Sequence, residues 1–255
     1  MIKSIILLLI ITINFNNSFA RNSGETEITT EDGIEVFQKE KYYLLKKNVE
    51  ILSDEFNLEG QLVKIYFEKD LYDIKEIVAN SNVVFNSEEY LVKGKGEYLK
   101  FNIKKQEILV EGNKSELILD TTKMFSNESI KVDNIDGTFL INGTNSKLIS
   151  NDIFILGSVI NGFFEIVDGK RTVTNLEVED EKIINIKTTD IDMYSKKAVY
   201  NKKKSIIELF ESVEIKRGSE IVRGDYGILD TKNKSYKVSS KNSNKVKAII
   251  SNSNE

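Results

Sequence analysis

Residues 212–235 read Ser212-Val213-Glu214-Ile215-Lys216-Arg217-Gly218-Ser219-Glu220-Ile221-Val222-Arg223-Gly224-Asp225-Tyr226-Gly227-Ile228-Leu229-Asp230-Thr231-Lys232-Asn233-Lys234-Ser235. Apolar Val213 and Ile215 alternate with polar residues. That period marks a strand with one buried and one wet face, because successive side chains of an extended chain point to opposite sides. Lys216-Arg217-Gly218 has turn composition. The stretch is therefore a strand, a turn, a second strand ending at Gly224, and a third strand closing in a turn rich in Asp, Lys and Asn.

Two other windows align with this one when Asn48, Asn82 and Ser212 are each taken as position zero. Position one is Val49, Val83 and Val213, and position three is Ile51, Phe85 and Ile215. Position ten is Leu58, Val92 and Val222, and position twelve is Gly60, Gly94 and Gly224. Glycine there suits a bulge, a bend or a close approach of backbone. The first two copies lie 34 residues apart, a spacing shared with the helical tetratricopeptide repeat, which the two-residue alternation excludes. Thr189-Asp190, ahead of Gly224-Asp225, suggests a degenerate fourth copy. Asn80-Ser81-Asn82, Glu111-Gly112-Asn113-Lys114, Asn142-Gly143 and Asp168-Gly169-Lys170 read as turns between strands. No stretch carries a 3.6-residue apolar stripe, and Lys202 to Phe210 reads as a strand.

Composition removes most chemistry. The 255 residues include no Cys, His, Trp or Pro. A disulfide framework, a thiol nucleophile, a Ser-His-Asp triad and His- or Cys-ligated metal sites are excluded. The net charge is -4, against the basic balance of a nucleic-acid binder. Residues 1–20 read as a cleaved secretory signal: Lys3, then the apolar run Ile5 to Ile13, then Ser18-Phe19-Ala20. The run is shorter than the ~20 residues needed to span a bilayer, which disfavours an uncleaved anchor. The expected mature chain starts near Arg21 and has no second hydrophobic stretch.

The pattern Asn-Val-x-Ile, a few residues, Gly or Ala-Asp, then a strand ending in a Lys/Asp-rich turn, resembles the OstA-type repeat of periplasmic lipopolysaccharide-transport proteins of the LptA/LptC kind. Glu27-Ile28-Thr29-Thr30-Glu31-Asp32-Gly33-Ile34 is similar to that family's opening strand. Lys46-Lys47-Asn48-Val49-Glu50-Ile51 is similar to its Gly-Asn-Val strand, with Lys47 in place of Gly. The resemblance is strong over 27–112 and 188–238 and weak over 113–187. It implies an all-β fold of stacked antiparallel strands, an open, twisted β-jellyroll. The expected organisation is a signal over 1–20, jellyroll repeats over 21–112, a continuation over 113–187, C-terminal repeats over 188–240, and a last strand and polar tail over 241–255.

The resemblance also implies a job. An apolar groove would shield the acyl chains of lipopolysaccharide, its lipid A part, on the way from inner to outer membrane. The expected lipid-binding inner face is Val49, Ile51, Phe56, Leu58, Val83, Phe85, Tyr90, Val92, Phe101, Val213 and Ile215. Edge strands would join other Lpt-type jellyrolls or a second copy, head to tail. No catalytic residue, metal or cofactor is expected, because a chain leaving water gains about 0.8 kcal/mol per CH₂ without bond chemistry. Energy for uphill movement would come from a partner ATPase.

Other motifs have plainer readings. Lys93-Gly94-Lys95-Gly96 lacks the third Gly of a dinucleotide fingerprint and reads as a turn. Asp133-Asn134-Ile135-Asp136-Gly137 has the wrong ligand spacing for an EF-hand and reads as a polar loop. Of the acidic pairs, only Asp190 and Asp192 would share a strand face, as paired glycosidase carboxylates require. The basic clusters Lys46-Lys47, Lys104-Lys105, Lys196-Lys197 and Lys202-Lys203-Lys204 suit solvated turns, with head-group phosphates as the functional alternative. Two other architectures compete. A carbohydrate-active β-solenoid would show coils of ~20–25 residues, and an adhesive β-repeat protein would carry a surface anchor.

Overall fold

The alternating runs form strands paired into one 18-stranded sheet in the computed structural model. The structure describes residues 24–69, 73–150, 153–241 and 245–250. The expected signal over 1–20 and the end of the tail, 251–255, lie outside the described residues. The strands are β1 (Glu27–Thr29), β2 (Ile34–Phe37), β3 (Tyr42–Leu52), β4 (Asn57–Phe67), β5 (Ile74–Ser87) and β6 (Val92–Asn102). Then follow β7 (Glu107–Glu111), β8 (Ser115–Leu119), β9 (Thr122–Ser126), β10 (Ser129–Asp133), β11 (Thr138–Ser150) and β12 (Ile153–Val167). The last six are β13 (Lys170–Lys187), β14 (Asp192–Asn201), β15 (Ile206–Arg217), β16 (Glu220–Asp230), β17 (Ser235–Ser239) and β18 (Lys247–Ile250). Every pairing is antiparallel. The all-β antiparallel stack expected from the sequence is therefore present, and no parallel pairing of the kind a solenoid coil needs occurs among the described residues.

Each long strand is bent near its middle, and the repeat marks the bend. Register breaks between Lys46 and Val49, between Asn80 and Val83, and between Phe210 and Val213. At each break two residues oppose one: Lys47-Asn48 face Gln61, Ser81-Asn82 face Glu97, and Glu211-Ser212 face Asp225. All six residues of the doubled side have positive φ, from 49° at Asn48 to 68° at Lys47. Such a two-against-one bulge bends a strand sharply. Asn tolerates this left-handed region better than most residues, which explains Asn at position zero of two copies. Asn80-Ser81-Asn82 and Asn142-Gly143 are therefore corners inside β5 and β11, not turns between strands. Lys93-Gly94-Lys95-Gly96 likewise lies within β6, and the strand read over Lys202 to Phe210 begins only at Ile206, after a turn.

Two findings correct the repeat alignment. The valine of position one pairs with a corner glycine as Val49↔Gly60, Val83↔Gly96 and Val213↔Gly224. The equivalent glycine in the second copy is Gly96, not Gly94, because the β5–β6 arm is longer there. Thr189-Asp190 is no fourth corner: it sits in the hairpin between β13 and β14, and the β14 register breaks between Tyr194 and Lys197.

The bends fold the sheet into two facing wings joined along a spine of corners. One wing, called right here, holds β1, β8, β9, β18, the C-terminal halves of β3, β5, β11, β13 and β15, and the N-terminal halves of β4, β6, β12, β14 and β16. The left wing holds the other halves with β2, β7, β10 and β17. Hairpin loops line the two free margins opposite the spine, and the gap between these margins is the mouth. The core fills the space between the wings. Phe85 of the right wing meets Phe101 of the left edge to face, with centroids 5.4 Å apart.

Candidate functional site

All of the residues expected on the inner face do point between the wings. Val49, Ile51, Phe56, Leu58, Val83, Phe85, Val92, Phe101, Val213 and Ile215 are each at most 3% exposed. Tyr90 is half-buried in the β5–β6 hairpin and packs its ring on Phe101 at 5.4 Å. These side chains pack against one another: Phe56 lies 5.8 Å from Phe85, which in turn stands on Phe101. In the N-terminal part the wings are pressed together, and Val49 to Phe101 of this set form a packed core.

A strap keeps them together at mid-length. The β12–β13 hairpin is rooted in the left wing, where Thr174 bulges out between the pairs Phe163↔Asn175 and Phe164↔Val173. Its arm turns across the mouth. The Arg171 amide donates to Asp120 Oδ2 at 2.9 Å, and Asp120 belongs to the right-wing turn between β8 and β9. The guanidinium donates to Asp120 Oδ2, to the Tyr90 carbonyl at 3.0 Å and to Asn134 Oδ1 at 2.8 Å. Arg171 and Asp120 are 10% and 8% exposed, so this ion pair is shielded from water. Beneath it lies a cavity of about 10 Å³, lined by residues that include Tyr90, Phe101 and Val132.

Beyond the strap the wings part. A cavity of about 300 Å³ lies between Leu148, Ser150 and Ile153 of the right wing and Val173, Leu176, Tyr200 and Leu229 of the left. That volume is at the small end of the usual range for ligand pockets. Its rim at the mouth is polar: Thr188, Thr189 and Asp190 from the β13–β14 hairpin face Lys202, Thr231 and Lys234. Lys234 Nζ meets Asp190 Oδ2 at 2.5 Å, a second link between the margins. The hydrogen bond from Lys234 holds the Asp190 carboxyl below its ordinary range. Burial raises the Tyr200 phenol above its own. An apolar floor with a charged rim suits an amphiphile, chain inside and head at the rim.

None of the eleven expected lipid-facing residues lines this cavity. It falls across the stretch where the repeat is weakest and the C-terminal repeats. A partial signal for it does exist in the sequence: the apolar residues that line it, Leu148, Ile153, Val173, Leu176, Ile191 and Leu229, are all aliphatic, with Tyr200 as the aromatic among the lining residues.

The remaining candidates resolve simply. Asp133 Oδ1 accepts from the amides of Ile135 and Asp136 and closes the β10–β11 turn, the loop that resembles a calcium site. Asp190 is drawn to Lys234, and Asp192 lies near Lys187 at 3.5 Å. No cluster of three His, Cys, Asp or Glu able to hold a metal ion occurs among the described residues.

No protein-family model matches the chain, and no curated protein matches it. Among solved structures, LptH from Pseudomonas aeruginosa, the LptA-homologous periplasmic component of a lipopolysaccharide transport device, aligns with 89% of this chain and 95% of its own. The sequences are 7% identical and the TM-score is 0.24.

Proposed function

We propose that this protein is a periplasmic lipid carrier that shields the acyl chains of lipopolysaccharide between its two wings during transport from inner to outer membrane. The observation that carries the reading is the cavity of about 300 Å³, apolar within and charged at its mouth. The repeat's resemblance to the LptA/LptC kind names the cargo, the lipid A part, and the compartment, reached by cleavage of the signal. Holding a chain there needs no bond to be made or broken, so the protein is not an enzyme. The inner face from Val49 to Phe101, with Val213 and Ile215, serves the same path if the wings part along the whole stack.

The two ends of the stack suit partners of the same architecture. β1 and β2 pair only with β3, and β17 and β18 only with β16, among the described residues. Unpaired edges invite strand addition. Ile34 and Val36 at one end are 47% and 46% exposed, and Ile250 at the other is 74% exposed. Other Lpt-type jellyrolls, or a second copy head to tail, would cover them.

Photo-crosslinking tests the carrier reading in cells that make lipopolysaccharide. A photoreactive residue at Ile153, on the cavity wall, is expected to label lipopolysaccharide more strongly than one at outward Lys131. Equal labelling would sink the idea. Labelling from Phe85 reports separately whether the N-terminal part of the wings opens.

A further inference from the structure

We propose that the tip of the β12–β13 hairpin docks on an anionic lipid bilayer and sets the cavity mouth against it. The argument starts with apolar surface. Phe163, Ile166 and Val167 are 53%, 69% and 47% exposed, within one short arm. Ile166 and Val167 are neighbours on a strand, so their side chains point to opposite faces. Residues 165–170 are exposed without a break. The tip therefore projects beyond the wings with solvent on both faces. A flat protein partner covers one face of such a projection, whereas an acyl layer covers both.

Charge complements the apolar tip. The tip turn is Asp168-Gly169, and Lys170 follows it. The adjoining turn is Lys202-Lys203-Lys204, held to the root of the arm by Lys202 N donating to the Thr174 carbonyl at 2.8 Å. Lys203 pairs with Glu165 at 2.8 Å and Arg171 with Asp120. Lys170 beside the tip and Lys202 and Lys204 on one flank of the arm form its basic side, with Asp168 in the tip turn and Asp133 and Asp136 on the opposite flank, where the Gly137 carbonyl accepts from Phe164 N at 2.8 Å. Lysines that keep their ammonium groups at head-group level behind an inserted apolar tip favour an anionic membrane surface. Position adds the last step. Val173, at the base of the arm, and Lys202 both line the cavity, so a seated tip brings the rim to the head groups. A chain can then exchange with the membrane without crossing water. Only this purpose rests on the carrier reading; the docking does not.

The full chain, mixed with vesicles of phosphatidylcholine with or without phosphatidylglycerol, tests the proposal by co-sedimentation. Binding is expected only with phosphatidylglycerol and should weaken as salt rises. The double substitution Ile166→Asp with Val167→Asp is expected to weaken it at least tenfold with an unchanged melting temperature. Changing Lys170, Lys202 and Lys204 to Gln should weaken it about a hundredfold, at about fivefold per charge. The chain has no Trp, so Ile166→Trp supplies a single reporter. Its emission should shift to shorter wavelength on anionic vesicles. Unchanged emission, or native-like binding by the aspartate pair, overturns the proposal, as does the absence of vesicle binding expected of a tip that docks on protein. Ile153→Trp, which fills the cavity, separates the two readings: it should abolish uptake of a fluorescent acyl chain and leave sedimentation intact.

Discussion

Gly94 and Gly96 lie two residues apart on β6 and do different work. A Cβ at position 96 would come 2.7 Å from Val110 Cγ1 and 2.8 Å from the Glu111 carbonyl oxygen, closer than side chains approach backbone. A Cβ at position 94 would meet only the side-chain tips of Leu99, Leu117 and Val110, at 3.4 to 3.6 Å. Gly96→Ala is therefore expected to cost about 1–3 kcal/mol by overpacking. Gly94→Ala should be close to neutral, since ordinary contacts are gained and unfolded-chain entropy is reduced. Urea midpoints of the two variants check this, and equal midpoints would contradict the close approach of β7 to β6 at Gly96. The same pair shows what was legible at this scale. Val83 and Asn82 were readable because each meets a local demand, strand packing or a left-handed backbone. The partner glycine was displaced because it depends on the length of the intervening arm, which no single residue reports.

At the scale of elements, corners and hairpins use the same vocabulary. Both need residues that accept positive φ, so Asn80-Ser81-Asn82 and Asp168-Gly169 look alike in sequence although one bends a strand and the other ends it. The alternation of apolar residues was legible throughout, and so the strands were. The strap was not, because its anchor joins Arg171 to Asp120 and Tyr90, 51 and 81 residues away. The strap also makes a quantitative prediction. Arg171→Met leaves Asp120 shielded and without its cation, and removing one partner of a buried pair typically costs about 3–5 kcal/mol. Asp120→Asn keeps an oxygen for the Arg171 amide and should cost less. Hydrogen exchange should rise in 164–173 in both variants, and more in Arg171→Met. Unchanged protection there would show that the arm is held by its β12–β13 pairing alone.

At the scale of the whole molecule, the sequence indicates an inward face over the N-terminal repeats and at Val213 and Ile215, leaves it open over 113–187, and does not show where the interior is hollow. Phe56, Phe85, Phe101 and Tyr90 fill the space between the wings in the N-terminal part. Beyond the strap the inward apolar residues, Tyr200 apart, are aliphatic, and the space is left open. Whether an inward residue is core or lining is decided by how far the wings splay. That splay depends on contacts across the mouth, which strand periodicity does not encode. The link at the hollow end is Asp190 to Lys234, and its behaviour with pH follows from its sign. The Asp190 carboxyl is held below its ordinary 3.8 by the hydrogen bond from Lys234. A depressed carboxylate contributes fully above its unfolded value and loses its contribution as pH falls through its folded one. Between pH 7 and pH 5 the link should thus stay closed, and uptake of a fluorescent acyl chain should keep a constant rate. Asp190→Asn removes the charge at every pH and should speed uptake at pH 7, since Lys234 no longer spans the mouth. Both groups are exposed, so the variant's melting temperature should hardly move. Stopped-flow fluorescence separates these outcomes. A native rate that climbs between pH 7 and pH 5, or an Asp190→Asn rate equal to the native one, would mean that chains reach the cavity by a route other than this part of the mouth.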